Sequence, residues 1–211
     1  MLSASIASTF AVVSDAAEAA KLQQTFRIGA RSADVPSAEM TLTVHEIYVG
    51  VVEKLVRLKS ARTNEVTPDI TAFERLLLTM STTEWHAIGA SPCTVDETLW
   101  HQLRVYHDAW KRGYFVASAT KFGGDFLLYN AFSSLMLLMW LTQPDLPSRS
   151  HAVALVLVKR LHQSIPSIDI VSHGRIAAMV KKKLLLATVC SDGVVQYITL
   201  SHALLASRTD Q

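Results

Sequence analysis

The sequence predicts an α/β protein in which a mixed sheet flanked by helices forms the C-terminal half and a mainly helical region precedes it. Half of the 211 residues are hydrophobic and 18% are charged, so the chain can bury a substantial core. Helical periodicity dominates the N-terminal half, whereas short valine- and leucine-rich runs between glycine turns dominate after residue 94. We therefore expect an N-terminal region at residues 1–92 and an α/β domain at residues 93–211.

Charge and cysteine content exclude several classes of protein. The formal net charge is +2 and the sequence pI is about 8.6, so any binding of nucleic acid must come from a local basic patch. Cys93 and Cys190 lie 97 residues apart, which excludes a disulfide scaffold and a zinc site of the CxxC type. Two isolated cysteines are typical of a reducing compartment.

The longest apolar run, at residues 131–141, has about half of the roughly 20 residues that a spanning helix needs, so we expect no membrane span. We expect this run to be buried or to face a partner. The first 20 residues contain no lysine or arginine and therefore lack the basic part of a secretory signal. We interpret the N-terminus as untargeted.

Two capping patterns predict helices in the N-terminal region. Asp15, with Glu18 three positions later, is expected to begin the first helix. Thr43 and Glu46 form a second capping pattern, and apolar residues then recur at helical spacing as far as Ser60.

A third capping pattern, Thr94 with Glu97, opens the α/β domain. The helix that follows carries one apolar stripe, and Gly113 stands where a C-terminal capping glycine belongs. The stripe consists of Leu99, Leu103, Tyr106 and Trp110.

Beyond Gly113 the pattern becomes that of strands. Gly123-Gly124 predicts a hairpin turn, and the valine-rich run at 152–158 predicts a strand that is buried on both faces. The remaining elements are strands at 114–118, 125–129, 184–190 and 194–200, a helix at 168–180 and a turn at 191–193.

Three polar residues lie at element ends in this apolar domain. Tyr129 ends a strand, His151 precedes one, and Lys182 lies between a helix and a strand. Such a set can move protons to and from oxygens while a cation stabilises negative charge, which is what metal-independent RNA cleavage through the 2′-hydroxyl requires. Taken singly, each residue is equally typical of ordinary packing, and spacing alone does not bring them together.

The stretch from Tyr106 to Tyr129, YHDAWKRGYFVASATKFGGDFLLY, resembles the signature of the tRNA-splicing (tRNA-intron) endonuclease family. In that family a helix ends in GY, a strand follows, and KFG.DF..Y closes the hairpin. The C-terminal part agrees, with Gly174-Arg175 leading through the lysine run into LLL and Asp192-Gly193. The resemblance covers about residues 100–202 and implies a nuclease-like fold. The GGDFLLY form is most similar to the eukaryotic catalytic subunit assigned to the 3′ splice site.

The resemblance implies a catalytic triad of Tyr129, His151 and Lys182, with Lys181 and Lys183 as alternatives for the lysine. The tyrosine would act as general base on the 2′-hydroxyl and the histidine as general acid to the 5′ oxygen. The lysine would stabilise the phosphorane-like transition state. A tyrosine needs help from a nearby cation to act as a base, because its reference pKa is about 10. The products would be a 2′,3′-cyclic phosphate and a 5′-hydroxyl.

The resemblance also sets the other expectations. Lys121, Arg149 and Arg175 are candidates for contacts with RNA phosphates. No metal or other cofactor is expected, because no set of ligands lies near the triad in the sequence. The implied partners are a pre-tRNA and the other subunits of a hetero-oligomer, a heterotetramer, in the nucleus.

The chain departs from the family in one respect. Tyr129 and His151 are 22 positions apart, whereas the family spacing is about eight, and removal of residues 130–143 would nearly restore that spacing. The extra segment is either a genuine insertion that packs on a partner subunit or a gene-model error. Two alternative functions follow: a non-catalytic structural subunit of the same complex, or an RNA-binding module unrelated to cleavage.

Overall fold

The computed structural model describes residues 2–7, 10–29, 40–60, 65–67, 71, 75, 97–130 and 152–201. In the N-terminal region these residues form a four-stranded sheet and two helices. The elements are β1 (Leu2–Ala7), β2 (Phe10–Val13), α1 (Ala16–Phe26), β3 (Met40–Leu42), α2 (Val44–Val52) and β4 (Val56–Ser60). The strand order is β3-β2-β1-β4, with β1 and β4 parallel and the other pairs antiparallel.

Both expected N-terminal helices are present, but the expectation of a mainly helical region needs correction. Asp15 caps α1, and Thr43 and Glu46 form the reciprocal capping box of α2. The second helix ends at Val52, and the residues up to Ser60 form β4 rather than a continuation of the helix. Strand β4 pairs with β1, more than 50 residues earlier in the chain, so this sheet depends on contacts that no local pattern reveals.

The α/β prediction for the C-terminal part is confirmed. A five-stranded mixed sheet has the order β5-β6-β7-β8-β9, in which β7 and β8 are parallel and the other pairs are antiparallel. Its elements are α3 (Glu97–Lys111), β5 (Phe115–Ser118), β6 (Phe126–Tyr129), β7 (Ala154–Val158), α4 (Ser167–Met179), β8 (Lys183–Val189) and β9 (Val195–Leu200). Gly113 adopts φ 93° just beyond α3, where the capping glycine was expected.

Two apolar layers cover the faces of this sheet. Leu128, Val156 and Ala187 pack toward α3 and the N-terminal region, in one large core cluster. Leu155, Leu184 and Ala177 pack on the other face, which α4 covers. Strand β7 has neighbours on both faces, and this explains its continuous run of apolar residues.

The N-terminal region and the five-stranded sheet share the larger core. Arg27 donates a hydrogen bond to the carbonyl of Trp110 at 3.1 Å and lies over its indole ring. The indole Nε1–H in turn donates to the carbonyl of Phe26 at 2.6 Å. The expected boundary between residues 92 and 93 lies outside the described residues and stays a prediction.

Candidate active site

The KFGGDF segment builds the hairpin that carries Tyr129. Gly123 adopts φ 67° at the turn, and a Cβ on Gly124 would lie 2.6 Å from Cδ1 of Leu155. The Asp125 carboxylate accepts the backbone N–H of Val158 at 2.7 Å and the amide of Gln102 at 2.8 Å. The glycines and the aspartate therefore join the hairpin to β7 and α3, which explains these signature residues by packing.

Tyr129 is the last residue of β6 and is half-buried. Its ring contacts Phe115 edge to face, with 6.3 Å between centroids, across the β5–β6 pair. The side chain packs against the α4-face cluster that includes Leu127 and Ala152. Burial raises the pKa of Tyr129 above its ordinary value. The phenol is therefore neutral near pH 7, and a base role needs a cation that arrives with the substrate or turns toward the ring.

Lys182 follows α4 in the short turn that leads into β8. Its backbone N–H donates to the carbonyl of Ala177 at 2.8 Å, which anchors this turn on the helix. The side chain is half-buried and its ammonium donates to the carbonyl of Val180 at 3.4 Å. Lys181 and Lys183, the two alternatives for the lysine, are exposed.

Tyr129 and Lys182 lie at the same edge of the sheet. Tyr129 ends β6 and packs on the α4 face, and Lys182 directly precedes β8. Strand β6 ends and β8 begins at the same edge, because β7 runs antiparallel to β6 and parallel to β8. The structure thus brings these two predicted residues to one edge of the sheet.

His151 and Arg149 lie outside the described residues, as does the apolar run at 131–141. The first described residue after His151 is Ala152, which packs in the same cluster as Tyr129. The assignment of His151 as general acid stays a prediction.

The other two candidates for RNA contacts, Lys121 and Arg175, lie on different elements. Lys121 is in the 3₁₀ turn at Thr120–Phe122, at the opposite end of β6 from Tyr129. The three residue steps of β6, from Phe126 to Tyr129, separate the two ends of the strand by about 10 Å. Arg175 is exposed on α4, one turn before the end of the helix that leads to Lys182. His173, two residues before Arg175, lies 3.0 Å from the carbonyl of Gly123, so this part of α4 contacts the turn that carries Lys121.

An open groove of about 880 Å³ begins at this edge and continues on the α3 face. Its basic side chains are Arg112, Lys181, Lys182 and Lys183. Asn130, Ala152, Tyr114 and Tyr197 also line it. We call this cavity the basic groove.

Arg112 and Tyr197 were missed by the reasoning from sequence. Asp108 Oδ2 accepts the Nε–H of Arg112 at 2.6 Å and the hydroxyl of Tyr197 at 2.9 Å. The guanidinium also lies over the Tyr197 ring, 5.3 Å from its centroid. The spacing of Asp108 and Arg112 along α3 was a visible signal for the ion pair. Nothing local signalled Tyr197, which is 89 residues from Asp108.

Within the described residues, no three histidine, cysteine or carboxylate side chains are grouped in a way that could hold a metal ion. None of the helices in the same part of the chain has the length and apolarity to cross a bilayer.

Comparison with known proteins gives matches over this half of the chain. Residues 99–197 match the family model described as tRNA intron endonuclease, catalytic C-terminal domain. The mouse tRNA-splicing endonuclease subunit Sen34 is 39% identical over 107 residues, and the human subunit of that name is 38% identical over 107 residues. The tRNA-splicing endonuclease of Methanothermobacter thermautotrophicus is 31% identical over 99 residues.

Each match covers only part of this chain and only part of the relative. The aligned segment is 50% of this chain and 29% of the mouse subunit, 50% and 30% for the human subunit, and 47% and 51% for the archaeal enzyme. The chain thus spans about three-tenths of the length of the mammalian relatives. The matched residues coincide with the five-stranded sheet and its helices, including the hairpin that carries Tyr129. Over residues 99–197 the chain is therefore similar to the catalytic C-terminal domain of the tRNA intron endonucleases, and it resembles the Sen34 subunits there.

Proposed function

We propose that this chain is an RNA-cleaving subunit of a tRNA-splicing endonuclease that cuts pre-tRNA at an intron boundary, the 3′ splice site. The observation that supports this most directly is that Tyr129 and Lys182 lie at one edge of the sheet, inside the segment that matches the family model. The names of the mammalian and archaeal relatives favour the same function.

The proposed reaction is a transesterification at the scissile phosphate. The 2′ oxygen forms a bond to phosphorus as the bond from phosphorus to the 5′ oxygen breaks. Tyr129 takes the proton from the 2′-hydroxyl, and His151 gives a proton to the 5′ oxygen. Lys182 stabilises the negative charge on the phosphorane. The products are a 2′,3′-cyclic phosphate and a 5′-hydroxyl.

The raised pKa of Tyr129 adds a condition to this mechanism. Burial is the cause of the shift, so Tyr129 in the structure described here is a poor base near pH 7. Among the described residues, the Lys182 ammonium bonds the backbone carbonyl of Val180, at a long 3.4 Å. We expect that RNA binding brings Lys182 toward the phosphate and Tyr129, which lowers the pKa of the phenol and activates it.

Loss of the general acid is the sharpest test of this mechanism. His151→Ala should reduce single-turnover cleavage at the 3′ splice site by about 10²- to 10⁴-fold, the usual contribution of a positioned acid. An RNA with a 5′-thio leaving group needs no proton and should recover most of the lost rate. His162→Asn is the control, because His162 is exposed and its φ of 64° is tolerated by asparagine. Cleavage of ordinary RNA by His151→Ala at the wild-type rate would make His151 structural.

The three lysines can be separated in the same assay. Lys182→Ala should abolish most of the cleavage rate at saturating RNA, because Lys182 is the half-buried lysine at the edge of the sheet where Tyr129 ends β6. Lys181→Ala and Lys183→Ala remove exposed lysines and serve as matched controls. A collapse of the saturating rate in either control, with Lys182→Ala active, would move the catalytic role to that lysine.

A second candidate is a non-catalytic structural subunit of the same complex. The 22-position separation of Tyr129 and His151 favours this candidate, because the spacing departs from the family spacing of about eight that brings the tyrosine and the histidine together. This candidate predicts that the assembled enzyme cuts normally when Tyr129, His151 and Lys182 are all replaced by alanine.

Partners and cofactors follow from the proposal. We expect the chain to act on pre-tRNA in a nuclear hetero-oligomer, a heterotetramer, and to purify poorly without its partner subunits. Light scattering that shows a monodisperse monomer at micromolar concentration would contradict the need for partners.

The mechanism uses no metal, so cleavage of a pre-folded substrate should continue in excess EDTA. Loss of cleavage that a divalent ion restores would exclude the mechanism.

A further inference from the structure

We propose that the basic groove binds the phosphates of the RNA strand next to the scissile bond, on the sheet face opposite Tyr129. This inference rests on the proposed function and assigns a second part of the RNA-binding surface. It makes Arg112 and Lys183 RNA-contacting residues that contribute to affinity rather than to the chemical step.

The concentration of charge is the first argument. Four cationic side chains line the groove, and the lining residues that the structure describes include no carboxylate. The whole chain has a formal net charge of only +2, so the positive charge is gathered locally. A local basic surface is how a nearly neutral protein binds a polyanion.

The second argument is that neighbouring side chains hold Arg112 in position at the groove. Its bond to Asp108 and its position over the Tyr197 ring hold the guanidinium at the groove. The bond to Asp108 uses the Nε–H, and a guanidinium carries four further N–H donors in a planar fork that matches a phosphate. The side chain is 54% exposed, so these donors can reach a ligand.

The third argument is continuity with the proposed catalytic residues. Lys182 and Ala152 line the groove, and Ala152 also packs in the α4-face cluster against which Tyr129 packs. The groove reaches from the end of β6 across β7 and β8 to β9, three strand spacings or about 14 Å. A stacked strand advances about 3.4 Å per nucleotide, so the groove spans about four nucleotides. A strand with its scissile phosphate at Lys182 can thus cross the edge and continue along Lys183 and Arg112.

The test measures how the affinity of the assembled enzyme for RNA depends on salt. The probe is an intron-containing pre-tRNA with a 2′-deoxy nucleotide at the cut site, which cannot be cleaved. The double variant Arg112→Gln, Lys183→Gln should lower the slope of log affinity against log salt by about 1.4, the value for two lost contacts to single-stranded RNA. The control Lys21→Gln, Arg57→Gln removes the same charge from exposed positions on α1 and β4 and should keep the wild-type slope.

A second readout separates binding from chemistry. At saturating pre-tRNA, Arg112→Gln alone should cleave within a few-fold of the wild-type rate, because Arg112 is not among the candidates for the catalytic lysine. Thermal unfolding will show whether Arg112→Gln destabilises the protein. If it does, the double variant Lys181→Gln, Lys183→Gln replaces it in the salt measurement, because both lysines are exposed and make no contact with Asp108. The same reduction in slope is expected for that variant.

The outcomes distinguish this inference from the proposed function. If the double variant keeps the wild-type salt slope while the wild-type enzyme cleaves normally, the basic groove does not bind RNA phosphates. The proposed function would then remain intact. If the double variant loses its partner subunits on purification but keeps the wild-type salt slope, the groove binds an acidic segment of a protein. That result also contradicts the inference that the groove binds RNA. A wild-type enzyme that neither binds nor cuts the pre-tRNA overturns the proposed function, and the inference with it.

Discussion

Nε2 of His107 lies 2.6 Å from Oε1 of Glu53, and this contact joins α3 to the end of α2. Lys111 approaches the same oxygen at 3.1 Å. Burial lowers the pKa of His107, so the ring is neutral near pH 7 and donates its Nε2–H to the carboxylate. Burial alone would raise the pKa of Glu53, but the hydrogen bonds from His107 and Lys111 outweigh it and the pKa is lowered.

Glu53→Ala should lower the free energy of unfolding by about 1–3 kcal/mol, because it leaves the buried Nε2–H of His107 without an acceptor. Lys111→Ala is the matched control. It removes the exposed partner of the same carboxylate, 57% accessible, and should cost under about 1 kcal/mol. Urea denaturation measures both, and equal costs for the two variants would contradict this interpretation.

His45 should make the protein sensitive to acid. Its ring stacks on Tyr106 and contacts Phe126 edge to face, and burial lowers its pKa to about 4. The weaker raising influences come from Gln102 and Asp125. The folded pKa lies below the unfolded value of 6.5, so the stability is complete above pH 6.5 and is lost as the pH falls toward 4. The loss amounts to about 3 kcal/mol at most.

Urea unfolding at a series of pH values checks this dependence. His45→Phe keeps a ring in the aromatic contacts and cannot be protonated, so it should flatten the profile between pH 6.5 and 4. A shallower slope should remain, because His107 and Glu53 also have lowered pKa values and lose stability in the same direction. A variant profile that parallels the wild type would show that His45 is not responsible.

Two glycines of the matched domain should respond to alanine in opposite ways. A Cβ on Gly124 would lie 2.6 Å from Cδ1 of Leu155, so Gly124→Ala should cost about 1–3 kcal/mol through forced repacking. A Cβ on Gly174, inside α4, would meet no atom within 4 Å. Gly174→Ala should therefore stabilise the protein by about 0.5–1 kcal/mol. Thermal unfolding distinguishes the two, and destabilisation of both would contradict the packing argument.

Removal of residues 130–143 should not weaken the fold. Strands β6 and β7 pair through Phe126–Val156, Leu127–Leu155 and Leu128–Ala154, none of which lies in that segment. The deletion leaves 10 of the 24 residues that connect the two strands, and the shorter loop should gain about 0.8 kcal/mol in closure entropy. A melting temperature several degrees below that of the full chain would mean that the segment packs on the described core.

Cleavage by the assembled enzyme with the deleted chain decides what the segment is for. Wild-type cleavage would show that the reaction does not need it. Loss of cleavage together with loss of partner subunits would favour a genuine insertion that packs on a partner.

The expectations for the C-terminal part held where their signals were local. The helix ending before Gly113, the hairpin at Gly123-Gly124 and the doubly buried strand at 154–158 all appear within a few residues of their expected bounds. Capping, glycine turns and side-chain alternation act between near neighbours, so the order of residues is enough to reveal them. The family resemblance rests on the same stretch.

The sequence by itself therefore determined the α/β class, the elements of the matched domain and the identity of Tyr129 and Lys182 as candidates. Only the tertiary structure decided that β1 pairs with β4 in an N-terminal sheet, that Tyr129 and Lys182 share an edge of the C-terminal sheet, and that Lys121 lies at the other end of β6. It alone brought Arg112 beside Tyr197 and the three lysines. The physical reason is that strand pairing and the formation of a groove depend on contacts between residues far apart in the chain, for which no spacing along the sequence provides a signal.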